Sequence, residues 1–206
     1  MATASYPYLA WTFGPAAVAF AAWLGTRHPA FAVLGGLAAA LGAALAWFFR
    51  DPERRRRPDP SLILAPGDGR VVKIHAAGSF RVIEIFLAVW NVHLQRAPVA
   101  GRVTRRRFTK GSYLAAFNPQ AGTRNTRCET WFATPRGPVG LTQIAGAIAR
   151  KVECWVKPGD RVAQGERVGI IHLGSQVRVT VRKSVRILVR PGEHVRAGLT
   201  PLARWR

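Results

Sequence analysis

Residues 6–25 and 30–49 are two runs of twenty residues without one charged side chain, separated only by Thr26-Arg27-His28-Pro29. At about 1.5 Å of rise per residue, each run makes a helix as long as a bilayer's hydrocarbon core is thick. Core helices of soluble proteins normally keep a polar face, so two such runs back to back predict an α-helical membrane hairpin. Pro7, Gly14 and Pro15 predict a kink in the first run, or an interfacial seat in place of a span. A cleaved signal peptide fits poorly, because no basic segment precedes the first run and a second apolar run follows at once. Trp11, Trp23 and Trp47-Phe48-Phe49 stand near the run ends, where aromatic rings favour a membrane interface.

Beyond residue 49 the character reverses. All 10 carboxylates and 30 of the 31 Lys/Arg lie there, a net of +20. Such a charge calls for an anionic partner, either nucleic acid or an anionic membrane leaflet. Apart from Arg54-Arg55-Arg56-Arg57 the cations are dispersed along strand-like segments, and no nucleic-acid-binding motif accompanies them. The arginine block directly follows the second apolar run, so the positive-inside rule assigns it to the cytoplasmic face, where it reads as a topological and lipid-headgroup cluster. The organisation expected is a membrane-anchoring hairpin over residues 1–50 and a cytoplasmic body over residues 51–206. Cys128 and Cys154, the only cysteines, fit a buried reduced pair better than a metal site or a disulfide framework.

The body reads as mostly β. Pro58-Asp59-Pro60 is a linker, and residues 62–74 form an apolar run, a Gly67-Asp68-Gly69 hairpin turn and a further strand. Residues 80–92 are β-rich and residues 99–108 alternate. Residues 112–127, rich in Gly, Pro and Asn, form a long loop of the kind that often carries function. Residues 130–143 form a hairpin turning at Pro135-Arg136-Gly137, and Ile144, Ile148 and Val152 have the spacing of a short helix. Residues 156–165 are echoed at 189–198, an offset of 33, with Pro, Gly, Val and Gly in register. Strand–turn–strand units of this kind predict a β-sandwich or barrel-like body built like lipoyl and biotinyl domains.

Within it, Ile170-Ile171-His172-Leu173-Gly174-Ser175-Gln176 joins one apolar run to an alternating one, residues 177–181, with a Gly-Ser pair and no turn formers. Alone, Gly-Ser is a common strand bulge. Six pieces in order change its meaning: Phe48-Phe49-Arg50-Asp51-Pro52, Ala65-Pro66-Gly67-Asp68-Gly69, Val92-His93 with Arg96-Ala97-Pro98-Val99, Phe117-Asn118-Pro119, Gln143-Ile144-Ala145-Gly146-Ala147, and Leu173-Gly174-Ser175. Together they resemble the phosphatidylserine decarboxylase proenzymes in their short, membrane-associated form.

The resemblance implies self-cleavage between Gly174 and Ser175, giving a large chain, 1–174, and a small chain, 175–206. The Ser175 hydroxyl attacks the preceding carbonyl, the amide becomes an ester, and elimination with loss of ammonia leaves a covalent pyruvoyl group at position 175. That group would form a Schiff base with phosphatidylserine and release carbon dioxide to give phosphatidylethanolamine. Glycine before the serine keeps the carbonyl open and tolerates strain. A neutral hydroxyl needs a base, for which the resemblance offers His93, with Asp68 orienting or charging a proton-transfer group. Metal and diffusible cofactors are not implied, nucleic acid is not the expected partner, and a homo-oligomer is compatible.

Two departures stand out. Asn91 occupies the place before Val92-His93 where the family usually has Asp, and Arg96 stands where its longer members carry a second histidine. His172 is read as structural. Two alternatives are an archaetidylserine-type decarboxylase of the same mechanism and a non-catalytic lipoyl-like binding module. The latter needs a lysine at an exposed hairpin tip, and the Gly174-Ser175 region offers none.

Overall fold

The computed structural model describes residues 6–115, 118, 120–147, 150–172 and 175–206, in two compact units, Met1–Pro52 and Glu53–Arg206. In the first unit, α1 (Tyr6–Thr26) runs unbroken through Gly14 and Pro15, and α2 (Pro29–Phe48) follows. Both helices are long and apolar enough to cross a membrane. The reversal is made by Arg27, at φ 56°, and by His28, whose Nδ1 caps α2 by accepting from the Ala30 amide at 3.4 Å. The hairpin closes where Gly35 and Gly42 leave room for the Phe20 and Phe13 rings.

The second unit is mostly β. Its strands are β1 (Leu62–Leu64), β2 (Gly69–Ala77), β3 (Phe80–Leu87), β4 (Leu94–Arg96) and β5 (Gly101–Thr109). A one-turn helix α3 (Ala121–Arg124) precedes β6 (Arg127–Thr134), β7 (Gly137–Ile144), β8 (Val152–Cys154), β9 (Arg161–Val162) and β10 (Arg167–Ile171). The chain ends with β11 (Ser175–Arg182), β12 (Arg186–Ile187), β13 (His194–Val195) and β14 (Pro201–Arg204). An eight-stranded sheet has the order β13-β2-β3-β11-β7-β6-β5-β9, and two three-stranded sheets have the orders β1-β14-β12 and β4-β10-β8.

β11 lies inside the large sheet, antiparallel to β3 on one flank and β7 on the other. Val177, Val179 and Val181 point from it into the core, which also takes Ile83, Ile85, Leu87, Leu141 and Phe132. The β-branched alternation thus matches a strand with one face in the core.

The 33-residue echo is realised at both edges of this sheet. Its units supply the two edge strands, β9 and β13, and Gly159 and Gly192 turn at φ 101° and 98° while Gly165 and Gly198 turn at 83° and 69°. Only glycine adopts such angles without strain. Each unit grips a partner in the same way: Gly159 N donates to Val103 O at 2.8 Å and Gly192 N to Val71 O at 2.7 Å. Gly165 N reaches Ala97 O at 2.9 Å, and Gly198 N reaches Ala65 O at 2.8 Å. The gripped segments are themselves a repeat, offset by 32: Ala65-Pro66-Gly67-Asp68-Gly69-Arg70-Val71 and Ala97-Pro98-Val99-Ala100-Gly101-Arg102-Val103. They cross reciprocally, Leu64 N to Pro98 O at 2.9 Å and Arg96 N to Pro66 O at 2.8 Å. The body is therefore built on a local two-fold likeness.

Two expectations are corrected. Residues 67–69 do not turn a hairpin: β1 pairs with β14 while β2 pairs with β3 and β13, so the segment crosses between sheets. The spacing of Ile144, Ile148 and Val152 does not make a helix among the described residues, outside which Ile148 itself lies. Ile144 closes β7 and Val152 opens β8, because sheet pairing there outweighs a weak local period. The hairpin at residues 135–136 stands as expected, with Thr134 opposite Gly137.

Candidate active site

Ser175 opens β11 opposite Leu87, the last residue of β3. Residues 88–93 then lead from β3 to β4, where His93 O accepts from Ile171 N at 3.2 Å. The chain leaves β10 at Ile171 and enters β11 at Ser175, so two connections run between the same pair of sheets, one carrying His93 and the other ending at Ser175. Register alone thus brings His93 to the Ser175 end of the strand. Leu173 and Gly174, like Phe117 and Pro119, lie outside the described residues.

Ser175 is wholly buried, and its Oγ has no hydrogen-bond partner among the described residues. An unsatisfied buried hydroxyl costs about 1–3 kcal/mol. Packing alone would be served as well by alanine.

His93 is buried, and its Nδ1 lies 2.9 Å from the Asn91 carbonyl. A carbonyl only accepts, so in the neutral ring the proton sits on Nδ1 and the lone pair on Nε2. The Asn91 side chain is engaged elsewhere, where its Oδ1 accepts from Ala88 N at 2.9 Å and closes the turn between β3 and β4. An amide oxygen serves that purpose as a carboxylate would, so Asn91 preserves the turn that aims His93. Arg96 donates to Gly165 O at 3.0 Å and braces the repeat.

Asp68 has other partners. Its Oδ1 accepts from Ala197 N at 2.8 Å, and its Oδ2 pairs with Arg54 Nη2 at 2.8 Å, both side chains being largely buried. Neither bond reaches His93. The neighbouring Gly67 packs on the Val177 and Leu87 side chains, which places the Asp68 turn over the start of β11. The arginine block is accordingly more than a headgroup cluster, since Arg54 holds Asp68 and Arg56 donates to Leu199 O at 2.7 Å.

Several polar residues that carried no expected role line this region. Gln95 Nε2 donates to His93 O at 2.6 Å, and Gln143 Nε2 donates to Gln95 Oε1 at 2.9 Å and to Glu153 O at 3.1 Å. Glu153 Oε1 is shared by Lys151 Nζ at 2.6 Å and His172 Nε2 at 3.2 Å. Burial pushes His172 below its ordinary pKa, outweighing the pull of Glu153. Burial works to raise the Glu153 carboxyl, but hydrogen bonds from Lys151 and Trp155 hold it below the usual range. Glu84, buried in β3, accepts from Gln176 and Arg178 of β11. The visible signal for these residues is a polar side chain inside an apolar run, as Glu84 is within residues 82–87.

Cys128 and Cys154 are free thiols, Cys128 buried and Cys154 partly so. A hydrogen bond from Cys128 draws the Cys154 thiol down to about 6, helped by Thr130, while the Cys128 thiol is raised by the same contact and by burial. Among the described residues no group of three or more His, Cys, Asp or Glu forms a metal cluster.

The family model for phosphatidylserine decarboxylase matches residues 41–203. A phosphatidylserine decarboxylase proenzyme from Symbiobacterium thermophilum is 38% identical over 202 residues, covering 94% of this chain and 93% of the relative. One from Magnetococcus marinus is 34% identical over 213 residues, covering 99% and 94%. A relative from Methanosarcina barkeri, provisionally assigned as an archaetidylserine decarboxylase proenzyme, is 40% identical over 167 residues, covering 81% and 80%. With a family match over most of its length and relatives this similar, the chain belongs to the phosphatidylserine decarboxylase family.

Proposed function

We propose that this protein is a membrane-associated decarboxylase that converts phosphatidylserine to phosphatidylethanolamine, using a pyruvoyl group made from its own Ser175. The observation that carries the reading is the wholly buried Ser175 hydroxyl at the head of an interior strand, without a hydrogen-bond partner among the described residues. The proenzyme naming of the relatives accords with a chain that matures by cutting itself.

In this reading His93 takes the Ser175 proton through Nε2 while its Nδ1–H stays on the Asn91 carbonyl. Ser175 Oγ then attacks the carbonyl of residue 174, and the cut yields chains 1–174 and 175–206. Asp68 acts at one remove: anchored on Ala197 N and Arg54, it fixes the turn that packs on the first residues of β11. The pyruvoyl group supplies a ketone that condenses with the substrate's primary amine and withdraws electrons as carbon dioxide leaves. His93 is suited to return a proton to the product. Residues 1–50 serve as the membrane anchor and residues 51–206 as the catalytic body. By the positive-inside rule, the arginines that follow α2 support a cytoplasmic body close to anionic lipid.

The test is intact-mass analysis of the purified protein. Two chains are expected, the smaller starting at position 175 and lighter than its serine form by the mass of ammonia, and Ser175→Ala should abolish the cut and all decarboxylation. A wild-type chain that stays whole and still decarboxylates would refute the reading. The Methanosarcina barkeri relative favours a second substrate of the same chemistry, archaetidylserine. Parallel assays with both lipids distinguish the two.

A further inference from the structure

If Ser175 becomes a chain terminus, the reactive carbonyl loses its covalent tether on one side. Its position then depends on the β11 ladder and on whatever grips the first side chains of the strand. A displacement of about 1 Å can cost on the order of a hundredfold in rate. The grip nearest the terminus is therefore a functional question as well as a structural one.

β11 has two faces. Val177, Val179 and Val181 enter the core, while Gln176, Arg178 and Thr180 face the other way, Arg178 and Thr180 lining a cleft with His75, Trp131 and Thr142. On that face one buried carboxylate holds two successive outward residues. Glu84 Oε2 accepts from Gln176 Nε2 at 2.8 Å, and Glu84 Oε1 accepts from Arg178 Nη2 at 3.0 Å. Glu84 is only 8% exposed and stands opposite Arg178 in the β3–β11 register. Gln176 is the residue after Ser175, so this is the first side-chain restraint on the strand.

The other end of Arg178 is also fixed. Its Nη1 donates to Gly122 O at 3.0 Å. Gly122 approaches so closely that a Cβ there would overlap the guanidinium. Gly122 belongs to α3, and the next loop residue, Asn125, bonds through its side chain to Leu114 N, Leu114 O and Ala145 O. One chain of charge-assisted contacts therefore runs from the head of β11 through Glu84 and Arg178 into the segment after β5.

We propose that Glu84 and Arg178 are positioning residues: they hold the reactive head of β11 in place once it is a free end, and lock it to α3 at Gly122. The proposal rests on reading Ser175 as the pyruvoyl precursor. The ion pair sits at a β-ladder position with His75 Nδ1 3.8 Å from the same Glu84 oxygen, and selection for stability would as readily have placed an apolar pair there.

Full-length Glu84→Gln, Arg178→Lys and Gly122→Ala proteins test this. Glu84→Gln keeps size and removes charge; Arg178→Lys keeps the charge but cannot span Glu84 and Gly122 together; Gly122→Ala drives a Cβ into the guanidinium and displaces it from Gly122 and from Glu84 without touching the carboxylate. Three quantities are read: fraction cleaved, turnover per pyruvoyl on phosphatidylserine in detergent micelles, and amide exchange over residues 176–178. Cleavage should stay complete, turnover per pyruvoyl should fall about tenfold in Glu84→Gln with KM within about twofold, and exchange at 176–178 should accelerate, with smaller changes of the same kind in the other two. Unchanged turnover per pyruvoyl in Glu84→Gln and Arg178→Lys, or unchanged exchange, overturns the proposal. A variant that arrives uncleaved is judged by exchange. An uncleaved wild type would refute the proposed function, and exchange would then decide the clamp separately.

Discussion

The segments Ala65-Pro66-Gly67-Asp68-Gly69-Arg70-Val71 and Ala97-Pro98-Val99-Ala100-Gly101-Arg102-Val103 have nearly the same sequence and the same hydrogen-bond grip on a Pro-Gly unit, yet they differ at their centres. One carries Asp68, bound to Ala197 N and Arg54; the other carries Ala100, exposed and without an acid. The shared residues, Ala, Pro, Gly, Arg and Val, are those the crossing backbone needs. What differs is charge beside β11. A duplicated scaffold with an acid in only one copy allows what the backbone needs to be told apart from what the carboxylate adds.

The largest effect expected from this contrast is on maturation. Asp68→Ala should reduce the rate of cleavage by about a hundredfold or more, because it frees the turn over β11 and leaves Arg54 without its partner. Ala100→Asp, the reciprocal change, should leave cleavage within about twofold, read as the fraction of small chain formed against time. Equal impairment by both would break the comparison.

A middling effect should be shared by the two halves. Gly159→Ala and Gly192→Ala each force a left-handed angle on a side chain, at a cost of about 1–2 kcal/mol. Each should lower the melting temperature by several degrees, on the scale of about 2–4 °C per kcal/mol for a protein of this size. Near-equal shifts would sharpen the view that the halves are equivalent as scaffolds.

The smallest effect is a pH dependence that belongs to one side of the sheet only. His172 is buried beside Glu153 and Lys151 and holds its proton less tightly than in the unfolded chain. The unfolded chain therefore binds more protons, and stability should fall as pH drops below about 6.5 through the lowered folded pKa. Glu153 is shifted the opposite way relative to its charge, so its contribution is lost only at lower pH, below the ordinary carboxylate value. Melting curves between pH 7 and 5 should flatten in His172→Gln; an unchanged slope would remove His172 from the account.

The legible parts of the chain are those whose signal is local and repeated. Two uncharged runs could hardly be anything but long apolar helices, and the Pro-Gly units showed strand–turn–strand pieces in their spacing, whose glycines 159, 165, 192 and 198 the fold sets at left-handed angles. The order of six short motifs marked the family that the relatives bear out. What escaped was set by pairing across the fold. The helical spacing of Ile144 and Val152 yielded to sheet partners, and the 67–69 turn became a crossover because β1 finds its partner in β14. The second repeat hid behind its differing centre, Gly67-Asp68 against Val99-Ala100. Glu84 and Gln143 look like interruptions of apolar strands until their partners on β11, β4 and β8 are seen.

Residues 175–206 supply an interior strand and an edge strand of the large sheet and two strands of a smaller one, woven among pieces contributed by the first 174. A molecule severed ahead of Ser175 would keep its shape, yet it could not regain that shape as a single thread. Renaturation would require two separate molecules to meet, so it should depend on concentration, whereas the uncut precursor would refold at any dilution. Maturation would in that sense be a ratchet: the polypeptide has one opportunity to find its form, and the act that arms it forecloses another.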